Sequence, residues 1–468
     1  MMKDFDTYTG TLRYNNINFT FVFDKRELKL IPPDDKKKEV ESWFWKKMSE
    51  GIYTWGNPVY INETLYGISN ETFKKIIFIP ARREVSRYNS VIIIDVEFYI
   101  INKYDRDEID RISFNGPEIT QIFPTNIAID KIERDDSGKM NIKTKSFLDI
   151  TTEKEIFKIQ NKELKIYFGI SKKSSLKTGD APIILNSAMY VEFEPTNDFE
   201  FIRKIISVSK TLIQYLCYRK NISFSNIELS APAKNGLHEV FANIFETFQN
   251  KYIVDEYSST KKYCIQYEYV KGSIGKILND IASNKIYIKH IPETYELGRS
   301  KNAGDFVMIT AGFEWEFKRN YRNGIRKSNT TKEAEEKVNE IIQDAIDKNV
   351  GKVKKKLKFI KRFVNFNSLE DKIKEYGKDY NEISDIFGKR LYSINNEILN
   401  YNDMGKRLAE QRNHFAHGDI DKEFIGLSLL DLIYLEYIIY IMQLKYYKVD
   451  IYNIKRAIND LFGCNIAL

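Results

Sequence analysis

The chain has 468 residues, a formal net charge of +7 from 73 Lys and Arg against 66 Asp and Glu, and three cysteines. That length exceeds one small core, so two or three domains are expected, and the near balance of charge permits a nucleic-acid partner without requiring one. Cys217, Cys264 and Cys464, far apart and odd in number, argue against a disulfide framework and a cysteine-based zinc site, which points to a reduced, cytoplasmic protein.

The opening stretch MMKDFDTYTG has no apolar run, so no secretory leader is expected. Thr7 to Phe23 alternates around Asn15-Asn16 and reads as a hairpin. Lys38 to Gly51 reads as a short helix. Ser90 to Ile101 is a β-branched run, and Lys162 to Ile170 and Ser187 to Pro195 alternate as half-buried strands do. Pro32-Pro33, Gly116-Pro117 and Asp136-Ser137-Gly138 separate these runs. Residues 1–196 are therefore expected to form an antiparallel β-rich domain.

The pattern changes at Pro195. Asn197 followed by Glu200 has the form of a capping box, and Ile202, Ile205, Ile206, Ser209, Leu212, Ile213 and Leu216 fall on one helical stripe. Residues 197–298 read as a mixed, mainly helical connecting region. From 299 to 468 nearly every segment is helical. Thr330 with Glu333 and Ser368 with Asp371 mark helix starts, and the last helices are expected at 421–447 and 451–462. The fold class is α+β, with a C-terminal all-α bundle of four or five antiparallel helices. Phe424 to Leu444 is the most membrane-like stretch, but Asp431 and Glu436 interrupt it. Both charges would be penalised in a bilayer, so a buried bundle helix or a dimer interface is the expected reading, with no membrane partner.

The stretch RLAEQRNHFAHGDID, Arg407 to Asp421, holds two of the four histidines, His414 and His417. A helix from Tyr401 to His417 places Met404, Leu408 and Phe415 on one stripe, with Asn413 and His417 opposite, beside Ala409 and Ala416. Small residues there would let another helix approach closely. Arg412 lies at the border of the two faces. Gly418 follows His417 directly, which puts His417 in the last turn, where the helix dipole favours imidazolium. A histidine titrating near neutrality both gives and takes protons. An adjacent arginine holds a phosphate and stabilises charge developing on it. RNA carries its own nucleophile, the 2′-hydroxyl, so Arg and His suffice in principle to cleave it without a metal or cofactor. A helix C-cap explains the same residues structurally. Glu410 sits four residues before His414 as a local partner. A metal site of His414, His417 and Asp419 lacks a further nearby His or Cys to complete it.

RNHFAH, Arg412 to His417, matches the R-N-x-x-x-H signature of HEPN-domain ribonucleases and lies on a late helix of a C-terminal bundle, as in that family. The layout, a β-rich front part and a helical C-terminal part, resembles that of the ApeA-type anti-phage HEPN proteins. The resemblance implies a homodimer through the HEPN bundle, higher oligomers included, with paired motif helices forming one RNA cleft. It makes His417 the general acid/base, Arg412 the phosphate ligand and Asn413 an orienting residue, with His414 and Glu410 in support. It implies a metal-independent endoribonuclease of an abortive-infection defence system, with tRNA first among RNA substrates and a phage-derived trigger acting through a regulatory or sensing N-terminal domain. Two basic stretches are candidate RNA contacts: Lys354, Lys355, Lys358, Lys361 and Arg362 in Gly351 to Arg362, and Arg319 and Arg322 in Lys318 to Lys327. A solvated helix face explains either stretch taken alone. A non-catalytic HEPN module binding RNA or protein, and the toxin of a toxin–antitoxin pair, are the competing functions. No GxxxxGK[ST], HExxH or GxSxG motif occurs.

Overall fold

The computed structural model describes residues 5–106, 108–146, 150–174, 178, 183–234, 237–247, 263–364, 367–416 and 424–468. The chain divides into two compact units. The first is Met1–Gln214, Asn221–Val254 and Ile274–Ser283; the second is Tyr215–Lys220, Asp255–Ser273 and Asn284–Leu468.

The strands, all in the first unit, begin with β1 (Tyr8–Tyr14), β2 (Ile17–Phe23), β3 (Glu27–Ile31), β4 (Trp45–Ser49), β5 (Ile52–Trp55), β6 (Leu65–Ser69), β7 (Lys75–Pro80) and β8 (Ser86–Tyr88). They continue with β9 (Val91–Asn102), β10 (Ile109–Asn115), β11 (Ile129–Arg134), β12 (Met140–Thr144), β13 (Glu155–Ile159), β14 (Lys162–Ser174), β15 (Ile183–Thr196), β16 (Asn226–Pro232) and β17 (His238–Glu246). The helices are α1 (Lys37–Ser42), α2 (Pro117–Ile122), α3 (Phe199–Cys217), α4 (Tyr267–Val270), α5 (Ile274–Ala282), α6 (Tyr295–Arg299) and α7 (Ala303–Asn320). After them come α8 (Asn329–Lys348), α9 (Gly351–Val364), α10 (Leu369–Ile394), α11 (Tyr401–Ala416), α12 (Ser428–Tyr446) and α13 (Ile451–Leu461).

Strands β9-β3-β2-β1-β6-β7 run in that order, and β7 pairs back onto β9, closing a six-stranded antiparallel barrel. Its interior is filled by Tyr8, Phe19, Phe21, Phe23, Leu28, Phe78 and Ile94. The expected hairpin turns at Asn15 and Asn16, both with positive φ. That is the geometry a two-residue turn needs to follow the strand twist. β9 explains its own uninterrupted apolar run. Its second half pairs with β7 on one side and β17 on the other, joining the barrel to a second antiparallel sheet ordered β13-β14-β15-β10-β16-β17. Phe98, Tyr99, Ile100 and Ile101 are buried on both faces as a result. The region from 197 to 298, expected to be mainly helical, supplies β16 and β17, which pair with β10 and β9.

Several local expectations shift. The helix expected at Lys38 to Gly51 stops at Ser42, and Trp45–Ser49 and Ile52–Trp55 pair as a two-stranded hairpin turning at Gly51, which has φ +76°. Trp45 meets Tyr53 at a tilt and Trp55 edge-on across it, a cross-strand aromatic gain that outweighs the helical spacing. The cap of α3 is Asp198, one residue after Asn197: its Oδ1 accepts from the amides of Glu200 and Phe201 at 3.0 and 3.1 Å. The stripe from Ile202 to Leu216 is buried as expected. α8 is capped by Ser328, whose side chain accepts from Thr331 N, so Thr330 falls inside the helix. Ser368 and Asp371 form the expected reciprocal capping box at α10. The last long helix begins at Ser428, because Gly426 adopts φ +55° just before it.

In the second unit α12 is the central helix of the bundle. Its polar residues are buried with partners, as a helix in the core of a bundle requires. Arg407 of α11 grips Asp431 through two bonds of 2.7 Å, and Tyr392 of α10 also donates to Asp431. Lys301 pairs with Glu436 at 2.6 Å. Gln443 donates to Glu316 of α7 at 3.1 Å and to the carbonyl of Tyr287 at 2.9 Å. Among the described residues no helix is long and apolar enough to cross a membrane.

Candidate nuclease site on α11

Helix α11 starts where Asn400 Oδ1 accepts from the amides of Asn402 and Asp403. One face is buried: Met404 and Leu408 are fully enclosed, Gln411 is 1% exposed and Phe415 packs edge-on against Phe306 of α7. The Arg407–Asp431 pair fixes the helix to α12. Gln411 fixes it a second time: its Oε1 accepts from Ile425 N at 2.8 Å and from Ser428 Oγ at 2.9 Å, at the start of α12. Phe415 also meets Phe424 at 5.8 Å. The end of α11 and the start of α12 are therefore held together by one amide oxygen and an aromatic contact.

The opposite face carries the signature. Glu410, Arg412 and Asn413 are exposed, while Ala409 and His414 are half-buried. His417, with Gly418 and Asp419, lies outside the described residues. Arg412, expected at a border between faces, turns toward α7. Its Nη2 lies 3.1 Å from Glu314 Oε2, and its side chain stays 45% exposed. The other oxygen of Glu314 accepts from Lys372 of α10 at 2.6 Å. One carboxylate thus sits between two cations. A guanidinium has five N–H donors in a planar fork, so the ion pair fixes its direction and leaves donors for an incoming phosphate. Glu314 and Lys372 carried no signal in the sequence. They are 58 residues apart, and nothing local ties either to Arg412.

The basic stretches fare differently. Arg319 is taken up inside the bundle: it pairs with Glu316 at 2.7 Å, lies 4.1 Å over the Tyr446 ring and is 12% exposed. The cause is Glu316, a fully buried carboxylate that burial pushes above its ordinary pKa and Arg319 pulls back down. Arg322 is exposed. On α9, Lys355, Lys358 and Arg362 are exposed and Lys354 is half-buried, while Lys361 donates to Gln343 of α8 at 2.6 Å. Among the described residues no group of three His, Cys, Asp or Glu is placed to hold a metal ion.

No curated protein and no solved structure matches the chain. Residues 307–444, from α7 to α12 and including Glu314, Lys372, Arg412 and Asn413, match the family model described as Apea-like HEPN.

Proposed function

We propose that the chain is a metal-independent endoribonuclease of an anti-phage, abortive-infection defence system, working through Arg412 and His417 in a homodimer of HEPN bundles. The observation that carries this reading is Arg412. Within the span matched to Apea-like HEPN, it is exposed yet aimed by a carboxylate that is itself tied to Lys372.

In this mechanism the scissile phosphate docks on the outward N–H groups of Arg412. His417, five positions along the chain, removes the proton of the RNA 2′-hydroxyl or delivers one to the leaving 5′-oxygen, and the second copy supplies the complementary step. The 2′-oxygen attacks phosphorus, the bond to the 5′-oxygen breaks, and the products are a 2′,3′-cyclic phosphate and a 5′-hydroxyl. Arg412 stabilises the charge that builds on the phosphoryl oxygens. Asn413 orients the helix end, and His414 and Glu410 support it. Arg322 and the exposed lysines of α9 draw the RNA in. Transfer RNA is the first substrate to try, and the β-rich unit restrains the nuclease until a phage-derived trigger arrives.

The test is cleavage of total RNA by the purified chain in the presence of a chelator, beside Arg412→Ala and His417→Ala. Each variant is expected to lose cleavage by about 100-fold or more, in the range removal of a key charge-stabilising or proton-transfer group produces. Equal cutting by parent and variants would remove the site assignment, and strict dependence on an added divalent ion would remove the mechanism.

A further inference from the structure

The second unit holds an aromatic pocket that the nuclease reading does not use. About 280 Å³ in volume, it is lined by the rings of Tyr218, Tyr263, Tyr295, Tyr437 and Phe462 and by the carboxylate of Glu436. The rings are set close: Tyr263 and Tyr295 have centroids 4.2 Å apart, Tyr437 and Phe462 4.4 Å, Tyr218 and Phe462 5.1 Å. Gly463, at φ +60°, lets the chain pass directly behind Tyr263, where a Cβ would sit 2.8 Å from that ring. At the rim Arg299 lies 4.9 Å over the face of Tyr295 and is exposed to solvent.

Glu436 is the informative group. It is 3% exposed, and its Oε1 accepts from both Lys301, at 2.6 Å, and Tyr218. Its Oε2 takes no hydrogen bond among the described residues. That oxygen belongs to a carboxylate that lines the pocket beside its aromatic rings, where an N–H donor of a ligand could pair with it. The charge of that ligand follows from the neighbours. Lys301 already offsets Glu436, and Arg299 at the rim presents an exposed guanidinium, the group that an anion on the ligand would meet. A purely apolar ligand would leave the second carboxylate oxygen of Glu436 without a partner. What fits is a flat heterocycle that donates N–H to Glu436, stacks on the rings and carries an anion out to Arg299. The volume is at the low end for small-molecule sites, enough for a base and part of its sugar with the phosphate outside.

We propose that this pocket binds one nucleotide: base against the ring-lined wall, base N–H on Glu436 Oε2, phosphate on Arg299. The nucleotide is either a free mononucleotide or an unpaired residue of an RNA strand, since both present the same base, sugar and phosphate. The assignment stands independently of whether His417 cuts RNA.

The experiment is calorimetric titration of the full chain with the four nucleoside 5′-monophosphates, their parent nucleosides, tetramethylammonium, and a short 2′-O-methyl single strand that cannot be cleaved. Saturable binding of at least one monophosphate or of the strand is expected. Arg299→Ala should weaken it about 10-fold, as loss of one exposed charge-assisted contact does, while leaving nucleoside binding unchanged. Arg299 is exposed, so its variant should melt with the parent. Glu436→Gln, which turns an acceptor into a donor, should alter the base preference. Binding by monophosphates places the site with free nucleotides; Arg299-dependent binding by the strand alone places it with RNA. No saturable binding of any nucleotide or strand at millimolar concentration, binding indifferent to Arg299→Ala, or tighter binding of tetramethylammonium would overturn the proposal.

Discussion

At the scale of single residues, the two cations flanking Glu314 and the buried His290 make the sharpest claims. In the proposed mechanism Glu314 is a positioning residue, acting through its ion pair with Arg412 at 3.1 Å. Glu314→Gln should lower kcat for RNA cleavage about 10-fold, roughly one ion-pair's worth of orientation, with KM little changed. Its melting temperature should stay near the parent's, because a half-exposed pair contributes only about 0–1 kcal/mol. Partial recovery in Glu314→Asp separates orientation from mere packing, and a KM effect without a kcat effect would contradict it. His290 is 6% exposed among Tyr218, Tyr287 and Tyr440, and neither ring nitrogen has a hydrogen-bond partner. Burial first, then the charges of Lys301 and Lys220, push its pKa from 6.5 down to about 3. The folded chain therefore keeps this ring neutral while the unfolded chain protonates below its ordinary pKa. Stability from this group is whole above pH 6.5 and is lost as pH falls toward 3, at no more than about 1.4 kcal/mol per pH unit. Urea unfolding at pH 7 and pH 5 should show a smaller acid loss in His290→Phe than in the parent; equal losses would place the acid sensitivity elsewhere.

At the scale of elements, the join between α11 and α12 determines how firmly the signature helix is held. Gln411 serves as a remote cap, taking the amide of Ile425 and the hydroxyl of Ser428 on one oxygen. Gln411→Leu keeps the bulk and removes the acceptor, which should cost about 1–3 kcal/mol, the penalty for buried donors left unpaired. Hydrogen exchange should show the loss at the Ile425 amide while the amides of α10 keep their protection; uniform loosening of the bundle would mean that Gln411 acts through packing instead. Elements were unequally legible. Hairpins announced by paired turn residues at Asn15-Asn16, and the capping box at Ser368 and Asp371, stand where the sequence places them, because the chemistry that forms them lies within a few residues. The stretch after Lys38 misleads because Trp and Phe at mixed spacing suit a helix face and a strand alike. The aromatic pairing of Trp45 with Tyr53 and Trp55 chooses the strand. The caps at Asp198 and Ser328 each compete with a neighbouring Asn or Thr that can also accept, so position within the turn selects between them.

At the scale of the whole molecule, the proposed dimer makes activity a function of concentration. If one cleft needs residues from two copies, the cleavage rate per chain should rise with protein concentration and level off as sedimentation shows the dimer filling. A rate per chain that stays constant down to concentrations where the protein sediments as a monomer would contradict the composite site. The sequence by itself determined the two-part α+β organisation, the position of the signature at Arg412, Asn413 and His417, and the charged residues that make α12 a bundle helix. Each of these is written in periodicity, in a contiguous motif, or in a charge that apolar surroundings cannot hold without a partner. Only the tertiary structure decided which partners those charges take. It joined Arg407 to Asp431, turned Arg319 inward to Glu316, aimed Arg412 through Glu314 and Lys372, and gathered five rings around Glu436. The physical reason is that pairing and burial depend on distance in space: Arg407 and Asp431 are 24 positions apart and Glu314 and Lys372 are 58, with no local pattern to state it, and Arg319 and Glu316, three apart, are buried by what the rest of the bundle packs over them. The barrel closes for the same reason: β7 finds β9 through complementary edges and twist, which no run of either strand alone specifies.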